Sequence, residues 1–550
     1  NGYPEITFPH HQTDSRSLTR RATARRFPPP GAEGDGGGNI PLVVAKCGLE
    51  GVLLPSFVVK AVLLTLAGAL LSVLAFPPFG PGLLILPGVA LFLWALREAS
   101  SRTVGFWVGF GYGVAFFGGV MWWLAELELI ALILVPAQAL YLGAYGWWLT
   151  RDNDQTSGVW LSLAVGGWAV MELIRYHFPV GGLEWGAAGY ALSDHAVTRF
   201  PAMSIGTSGL TVMVVLVAGI LALVATRGTG RSTWLGAGVA VLLIGGSVVA
   251  GAFQTITFVD PPRRVTIVQG STPCPFEHCP PNERLRTYEQ HLELTRSLEP
   301  GTAGLVVWPE GSTGSTNADP VLNEGIREEI ASEARRLGSR MVIGGDRTLS
   351  ETEWVNVNVY FNADGEIVGE YRKQHPVPFG EYVPARPLFD WIPALDRVPR
   401  DAVRGDGPVL MDEVGSVISF EGGFSRYALA TRRAGAEVIV VNTNTASYGL
   451  TPASDVWIGM TRMRAVELGV PVIHAAVTGK STVIDPFGET GPVTGLGTME
   501  VLQDDYGGVR DTPFTAIGNA VMYVAAVVGL LAWARVRWLV GLDTRSMKEE

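Results

Sequence analysis

The chain has 550 residues, a mean hydropathy of +0.27, 17% charged residues and a formal net charge of −10. That is too apolar for a soluble enzyme and too charged for a bundle of membrane helices alone, so a membrane part and a water-soluble part are both expected. The acidic balance, with no basic stripe in the polar region, excludes nucleic acid as a partner.

Residues 1–50 combine Pro28, Pro29 and Pro30, Gly36, Gly37 and Gly38, and Arg20, Arg21, Arg25 and Arg26 with few aromatics, the composition of a disordered basic tail. The arginines lie far from the first apolar run and no cleavage site of the usual kind follows, so the tail does not read as a secretory signal. The chain does not begin with Met, which suggests a longer reading frame.

From Gly51 onward come long uncharged runs, each able to cross about 30 Å of hydrocarbon at about 1.5 Å per residue. They predict eight transmembrane helices, seven of them in 51–253, at roughly 51–76, 80–96, 104–124, 128–150, 157–175, 205–226 and 233–253. The eighth lies within 513–538, and 539–550 follows as a second cytoplasmic tail. If the first tail is cytoplasmic, the loops with Arg97 and Arg102, with Arg151, and with Arg227 and Arg231 fall on the same side, as do Arg535 and Arg537. Both termini are then cytoplasmic and 254–512 is extracytoplasmic. Trp122, Trp123, Trp147 and Trp148, near predicted helix ends, fit interfacial anchors.

Segment 254–512 alternates strand and helix patterns. Strands are predicted at Arg264–Val268, Gly304–Trp308, Met341–Ile343, Val355–Phe361, Val417–Ser419, Glu437–Val441 and Val472–His474. Helices are predicted at Asn282–Leu298, Leu322–Leu337, Phe424–Ala434 and Val456–Leu468. A single domain with two sheet layers flanked by helices accommodates that order. Of Cys47, Cys274 and Cys279, none has the spacing of a metal site, and a bridge between Cys274 and Cys279 stays open beside two free thiols.

Four motifs set ionisable groups just after apolar strand residues: Val307-Trp308-Pro309-Glu310-Gly311, Tyr371-Arg372-Lys373-Gln374-His375, Pro378-Phe379-Gly380-Glu381-Tyr382-Val383 and Ile418-Ser419-Phe420-Glu421. A Glu after Trp-Pro is by itself more often a turn acid, and a Lys after Tyr-Arg a solvated strand end. In this combination Glu310, Lys373 and Glu421 emerge at the edge of a core, where such charges are costly unless they pair with one another.

The order and spacing of these motifs resemble the nitrilase (carbon–nitrogen hydrolase) superfamily, whose sites use a Glu, a Lys and a Cys. With membrane helices on both sides, most of the chain resembles the apolipoprotein N-acyltransferase family. Asn442 to Gly449, Met460 to Gly469, Thr478 to Gly488 and the membrane-side Gly181 to Tyr190 add to the likeness. The fold class implied is an α-helical membrane bundle of eight transmembrane helices plus an α/β nitrilase-like α-β-β-α sandwich domain. The resemblance sets Glu310 on the general base, Lys373 on the ammonium that stabilises the tetrahedral oxyanion, Ser419 on the nucleophile and Glu381 on a second acid. Phe420 and Glu421 follow, with Glu421 on the acid that supports Lys373. The reaction implied moves an acyl chain from a membrane phospholipid to the nucleophile, then to the α-amine of an S-diacylglyceryl cysteine on a lipoprotein. It needs no dissociable cofactor and no metal, and it belongs at the cell (inner or plasma) membrane.

Ser419 stands where the resemblance calls for Cys. A free thiol, with a pKa near 8.5, is within range of a buried carboxylate base; a serine hydroxyl is far less acidic and is usually served by His or Lys. His375, beside Pro376, reads as a structural hydrogen bonder more readily than as a substitute base. Gly422, Gly423, Ser425, Arg426, Thr445, Ser447 and Lys480 also depart from the family pattern. Three accounts of Ser419 stay open: a deliberate exchange that blocks acylation, a natural loss that leaves a lipid-binding scaffold or subunit of a membrane complex, and an active serine enzyme. A soluble-type amidase would fit the polar domain but leaves the membrane helices without a purpose.

Overall fold

The structure, a computed structural model, describes residues 56–549 apart from 128, 151–154, 229, 253–261, 276–284, 315–317 and 390. The tail expected over 1–50, with Cys47, and also Cys279, lie outside the described residues.

Apolar helices occupy each of the seven regions within 51–253 where a span is expected. They are α1 (Ser56–Leu74), α2 (Ile85–Glu98), α3 (Arg102–Val120), α4 (Leu134–Leu149), α5 (Ser157–Arg175), α6 (Ala202–Arg227) and α7 (Arg231–Ala252). Among the described residues, five helices are long and apolar enough to cross a membrane: Arg102–Val120, Ala131–Leu149, Ser157–Arg175, Ala202–Arg227 and Ala520–Leu539. α2 has only 14 residues, because Pro77, Pro78 and Pro81 delay its start until after a short 3₁₀ turn. The run expected from 128 begins as another 3₁₀ turn, and regular helix starts only at Leu134. Close helix contacts rest on small residues: a Cβ on Gly166 of α5 would lie 2.3 Å from Cα of Gly529 in the C-terminal helix.

The polar region folds into two stacked sheets. The first has the order β13-β1-β2-β3-β4-β5 and the second β12-β11-β10-β9-β8-β7, with the short β6 (Asp401–Ala402) on β4. In the first, β1 is Arg263–Gln269, β2 Leu305–Trp308, β3 Arg340–Thr348, β4 Glu353–Phe361, β5 Ile367–Arg372 and β13 Glu500–Tyr506. In the second, β7 is Leu410–Met411, β8 Val414–Ile418, β9 Val438–Thr443, β10 Val472–Ala476, β11 Thr482–Ile484 and β12 Thr490–Val493. The middle strands of each sheet run parallel, β1-β2-β3 and β8-β9-β10.

Val265, Ile267, Val307, Val342 and Tyr371 of the first sheet form one core with Val414, Ile418, Val440 and Ile473 of the second. On the outer faces, α8 (Leu285–Arg296) and α9 (Glu324–Leu337) cover the first sheet, and α10 (Ser425–Arg433) and α11 (Ala453–Leu468) cover the second. The result is an α-β-β-α sandwich. After it the chain enters α12 (Ala520–Glu549), which packs on α5 and α6. A further apolar core is shared between the helical bundle and Phe420, Phe424, Trp457, Met460 and Met463 of the sandwich.

Gly166→Leu forces backbone apart on both sides of the α5–α12 contact. The expected outcome is a loss of about 1–3 kcal/mol, read as a lower midpoint of thermal unfolding for the detergent-solubilised chain.

Candidate active site

Glu310 leaves the sheet where β2 ends at Trp308. Pro309 cannot extend the ladder, and Gly311, at φ +71°, turns the chain through a left-handed conformation. The turn lies against β3, where a Cβ on Gly344 would come within 2.2 Å of the Pro309 carbonyl oxygen. Ser312 donates to the Gly344 carbonyl at 2.7 Å and locks this approach.

Lys373 follows β5 directly and is 1% exposed. Its Nζ donates to Glu310 Oε1 at 3.2 Å and to Glu381 Oε1 at 2.9 Å. Asn356 of β4 donates from Nδ2 to the same two oxygens, at 2.7 and 3.1 Å. The backbone N–H of Val377 holds Glu381 Oε2 at 2.6 Å. Burial alone would lower the Lys373 pKa; Glu310 and then Glu381 outweigh it and hold the ammonium above its ordinary value.

Ser419 is the first residue after β8, which ends at Ile418, one position before the end expected from sequence. Its φ of +50° is a left-handed conformation that a non-glycine residue adopts only where its surroundings impose it. Here they do so through Glu421. Glu421 Oε2 accepts from the Ile418 N–H and the Tyr371 hydroxyl, both at 2.7 Å, and Oε1 accepts from the N–H groups of Gln374 at 2.5 Å and His375 at 2.9 Å. One fully buried carboxylate thus ties the Ser419 turn to the chain leaving Lys373, although burial pushes its pKa up. No hydrogen bond joins Glu421 to Lys373. Both Glu421 oxygens are filled by other donors, so Glu421 meets Lys373 through the backbone of the following residues and, through space, by its charge.

The two sheets are keyed together beside this turn. Ile418 is paired with Asn442 of β9, whose Nδ2 donates to the Trp308 carbonyl at 3.0 Å and to Asn358 Oδ1 at 2.9 Å. The strand end before Ser419 is therefore fixed against the strand end before Glu310 and the strand carrying Asn356.

The loop between α5 and α6 closes over the other side of the turn. Trp185 meets Phe420 edge-on at 5.3 Å between ring centres, and the Tyr190 hydroxyl donates to the Gly423 carbonyl at 2.7 Å. Glu184 accepts from the Ser425 N–H at 3.2 Å, and Arg426 donates to the carbonyls of Tyr176 and Gly181 at 2.8 and 2.7 Å. His375 is buried among Phe420, Phe424 and Tyr427 beside Gly181, and burial with the neighbouring Arg426 pushes its pKa down to about 3. It stays neutral inside the joint between loop and sandwich, and no hydrogen bond joins its ring to Glu310 or Glu381.

Of the residues singled out from sequence, Glu310, Lys373 and Glu381 meet directly, Glu421 braces the turn, and Ser419 stands at its head. Sequence reasoning missed Asn356, Asp346 and Tyr371. The signal for Asn356 was present: Val355-Asn356-Val357-Asn358-Val359 puts two amides on one face of an otherwise apolar strand. Asp346 of β3, paired in register with Asn356, is pushed up to about 7 by burial and by Glu310 and Glu381.

Family profiles match both parts of the chain: "Apolipoprotein N-acyltransferase N-terminal domain" over residues 67–220 and "Carbon-nitrogen hydrolase" over 264–505. The apolipoprotein N-acyltransferase of Ralstonia nicotianae is 30% identical over 506 residues, covering 84% of this chain and 92% of that protein. The chain belongs to the apolipoprotein N-acyltransferase family. Another member, from Photobacterium profundum, is 27% identical over 537 residues, covering 90% of this chain and 99% of its own length. Among solved structures, an amidase from Nesterenkonia sp. is 16% identical with a TM-score of 0.36, covering 48% of this chain and 95% of its own. Within the apolipoprotein N-acyltransferase framework, the carbon–nitrogen hydrolase match spans Glu310, Lys373, Glu381, Ser419 and Glu421 alike.

Two outcomes follow from these contacts. Glu421→Gln turns an amide toward backbone donors and should cost about 2–4 kcal/mol of stability, with loss of any activity at Ser419. A pH titration of thermal unfolding tests the buried imidazoles: burial lowers His291 and His474 to about 4, and His375 lies at about 3. All three are neutral in the fold, so the unfolded chain takes up protons first as pH falls below about 6.5. The stability they contribute is present above that pH and is lost on descending through about 4. His474→Gln should flatten the slope in this window by up to about 1.4 kcal/mol per pH unit.

Proposed function

We propose that the protein transfers an acyl chain from a membrane phospholipid to the α-amine of an S-diacylglyceryl cysteine at a lipoprotein N-terminus. The observation that carries this is the buried Glu310–Lys373–Glu381 cluster beside the strained Ser419 turn, in a chain that joins an apolipoprotein N-acyltransferase N-terminal domain to a carbon–nitrogen hydrolase domain.

In this account Glu310 takes the proton from the residue 419 nucleophile as its oxygen attacks the phospholipid ester carbonyl, and Lys373 stabilises the oxyanion. The lysophospholipid alkoxide leaves with the proton from Glu310, and the acyl group remains on Ser419 as an ester. The acceptor amine then attacks that ester, an amide forms, and Ser419 regains its hydrogen. Glu381 holds Lys373 in place and Glu421 holds the turn. Serine makes the first step slow, because its hydroxyl is far less acidic than a thiol and Glu310 is shared with an ammonium.

The same proposal sets eight helices across the membrane, with both termini cytoplasmic and the sandwich extracytoplasmic. The arginines at the ends of α2, α3, α6 and α7 support the orientation. So does the disulfide at Cys274, a bond that persists in oxidising compartments.

The test is intact-mass analysis of the full chain in phospholipid nanodiscs, with a diacylglyceryl-cysteine peptide as acceptor. An acyl adduct is expected on Ser419 and none on Ser419→Ala, and Ser419→Cys should accelerate transfer by on the order of 10²-fold or more. Absence of both adduct and product from the wild type and from Ser419→Cys would leave a lipid-binding scaffold in place of an enzyme.

A further inference from the structure

Asp346 and Asn356 face each other across the β3–β4 ladder. Residues directly opposite in an antiparallel pair project from the same face, with Cβ atoms about 4.5–5.5 Å apart. Gly344, two residues earlier on β3, shares that face, and it is the position whose absent side chain makes room for Pro309 and Glu310. Asp346 therefore projects beside the Glu310 turn, next to the amide that binds Glu310 and Glu381.

That amide is only half used. Both of its hydrogen bonds leave from Nδ2 toward carboxylates, which fixes its orientation because only the NH₂ end can donate. Asn356 is 3% exposed, yet its Oδ1 has no partner among the described residues. A buried acceptor without a donor calls for an explanation. Asp346, partly open to solvent, likewise has no hydrogen bond or ion pair among the described residues. The charged groups acting on it are Glu310 from the β2 turn, Glu381 and Lys373 from the segment after β5, and Arg400 from the loop before β6. Arg400 is itself engaged with the Thr348 hydroxyl at 2.6 Å. Three carboxyl groups therefore gather around one buried ammonium, leaving a deficit of positive charge and of hydrogen-bond donors.

We infer that Asp346 and the Oδ1 of Asn356 form the subsite for the acceptor's α-ammonium. This rests on the acyl-transfer function proposed above and names the group that recognises its second substrate. An α-ammonium brings the one positive charge and the three N–H donors that the site lacks. Asp346 takes one proton from it, and the freed amine attacks the acyl ester on Ser419. The C–N bond forms and the C–O bond to Ser419 breaks. The second nitrogen proton passes through Glu310 to the departing Ser419 oxygen, and Asp346 releases its proton to solvent.

Binding separates this from turnover. A diacylglyceryl-cysteine peptide with a free α-amine and the same peptide N-acetylated are titrated against the full chain carrying Ser419→Ala in nanodiscs, at pH 6 to 8. The free amine is expected to bind at least tenfold tighter, and Asp346→Asn to abolish that preference while Asp346→Glu retains part of it. Asn can still donate an amide hydrogen to Asn356, so a purely structural role for Asp346 predicts an unchanged preference in Asp346→Asn, and that result would overturn the subsite. Unfolding midpoints of the variants, matched to the parent, exclude misfolding as the cause. A parent that binds both peptides equally also overturns it. Failure of acyl transfer itself appears separately, as absence of an adduct in the mass experiment.

Discussion

An ammonium group with almost no access to water cannot be left unpaired, and Lys373 is in that position. Moving such a charge out of water costs several kcal/mol even after relaxation, and removing one partner of a buried pair costs about 3–5 kcal/mol. The surrounding architecture answers this constraint. Glu310 and Glu381 approach from two separate turns, Asn356 bridges them, and Gly344 clears the space that lets the Glu310 turn lie on the neighbouring strand. A site whose electrostatics are set before any substrate arrives suits the stabilisation of a developing oxyanion, since no reorganisation is required at the moment of reaction.

The second requirement is that this site be held against the membrane helices. Gly206, at φ +70°, interrupts α6 and frees the N–H of Thr207 from the helical ladder. Glu467 of α11 accepts that N–H at 2.6 Å and the Thr207 hydroxyl at 2.7 Å, while Arg464 reaches the Thr207 and Ser425 hydroxyls at 3.0 and 2.7 Å. A carboxylate at the start of a helix also meets the positive end of its dipole. Bundle and sandwich are thus joined by a buried polar lock surrounded by the apolar core of Trp185, Phe420 and Trp457. The segment that starts α10 belongs to the joint and follows the Ser419 turn without a spacer.

Much of this was legible in the amino-acid order. The central strands are buried on both faces and read as unbroken apolar runs, so β1, β2, β8, β9 and β10 were placed within a few residues. β5, β6, β7, β11, β12 and β13 were missed. β13 carries Glu500, Asp504 and Asp505 at a sheet edge, and β12 contains Gly491 and Pro492, so neither has a strand's usual composition. Glu310, Lys373 and Glu381 could be singled out because charged residues directly after apolar strands are costly. Their mutual contacts, and the amide and aspartate that complete the cluster, depend on the register of β3 with β4, which no local pattern encodes. Sequence also could not show that Glu421 braces the turn by hydrogen bonds, because three of its four donors lie in 371–375, a segment that meets the turn only in the folded chain.

The shape of the turn at residue 419 is maintained by a carboxylate two residues away, and among the described residues the Ser419 hydroxyl makes no hydrogen bond. Geometry and reactivity at residue 419 are therefore set by different atoms: the Glu421 carboxylate shapes the backbone, and the side chain of residue 419 takes no part in that network.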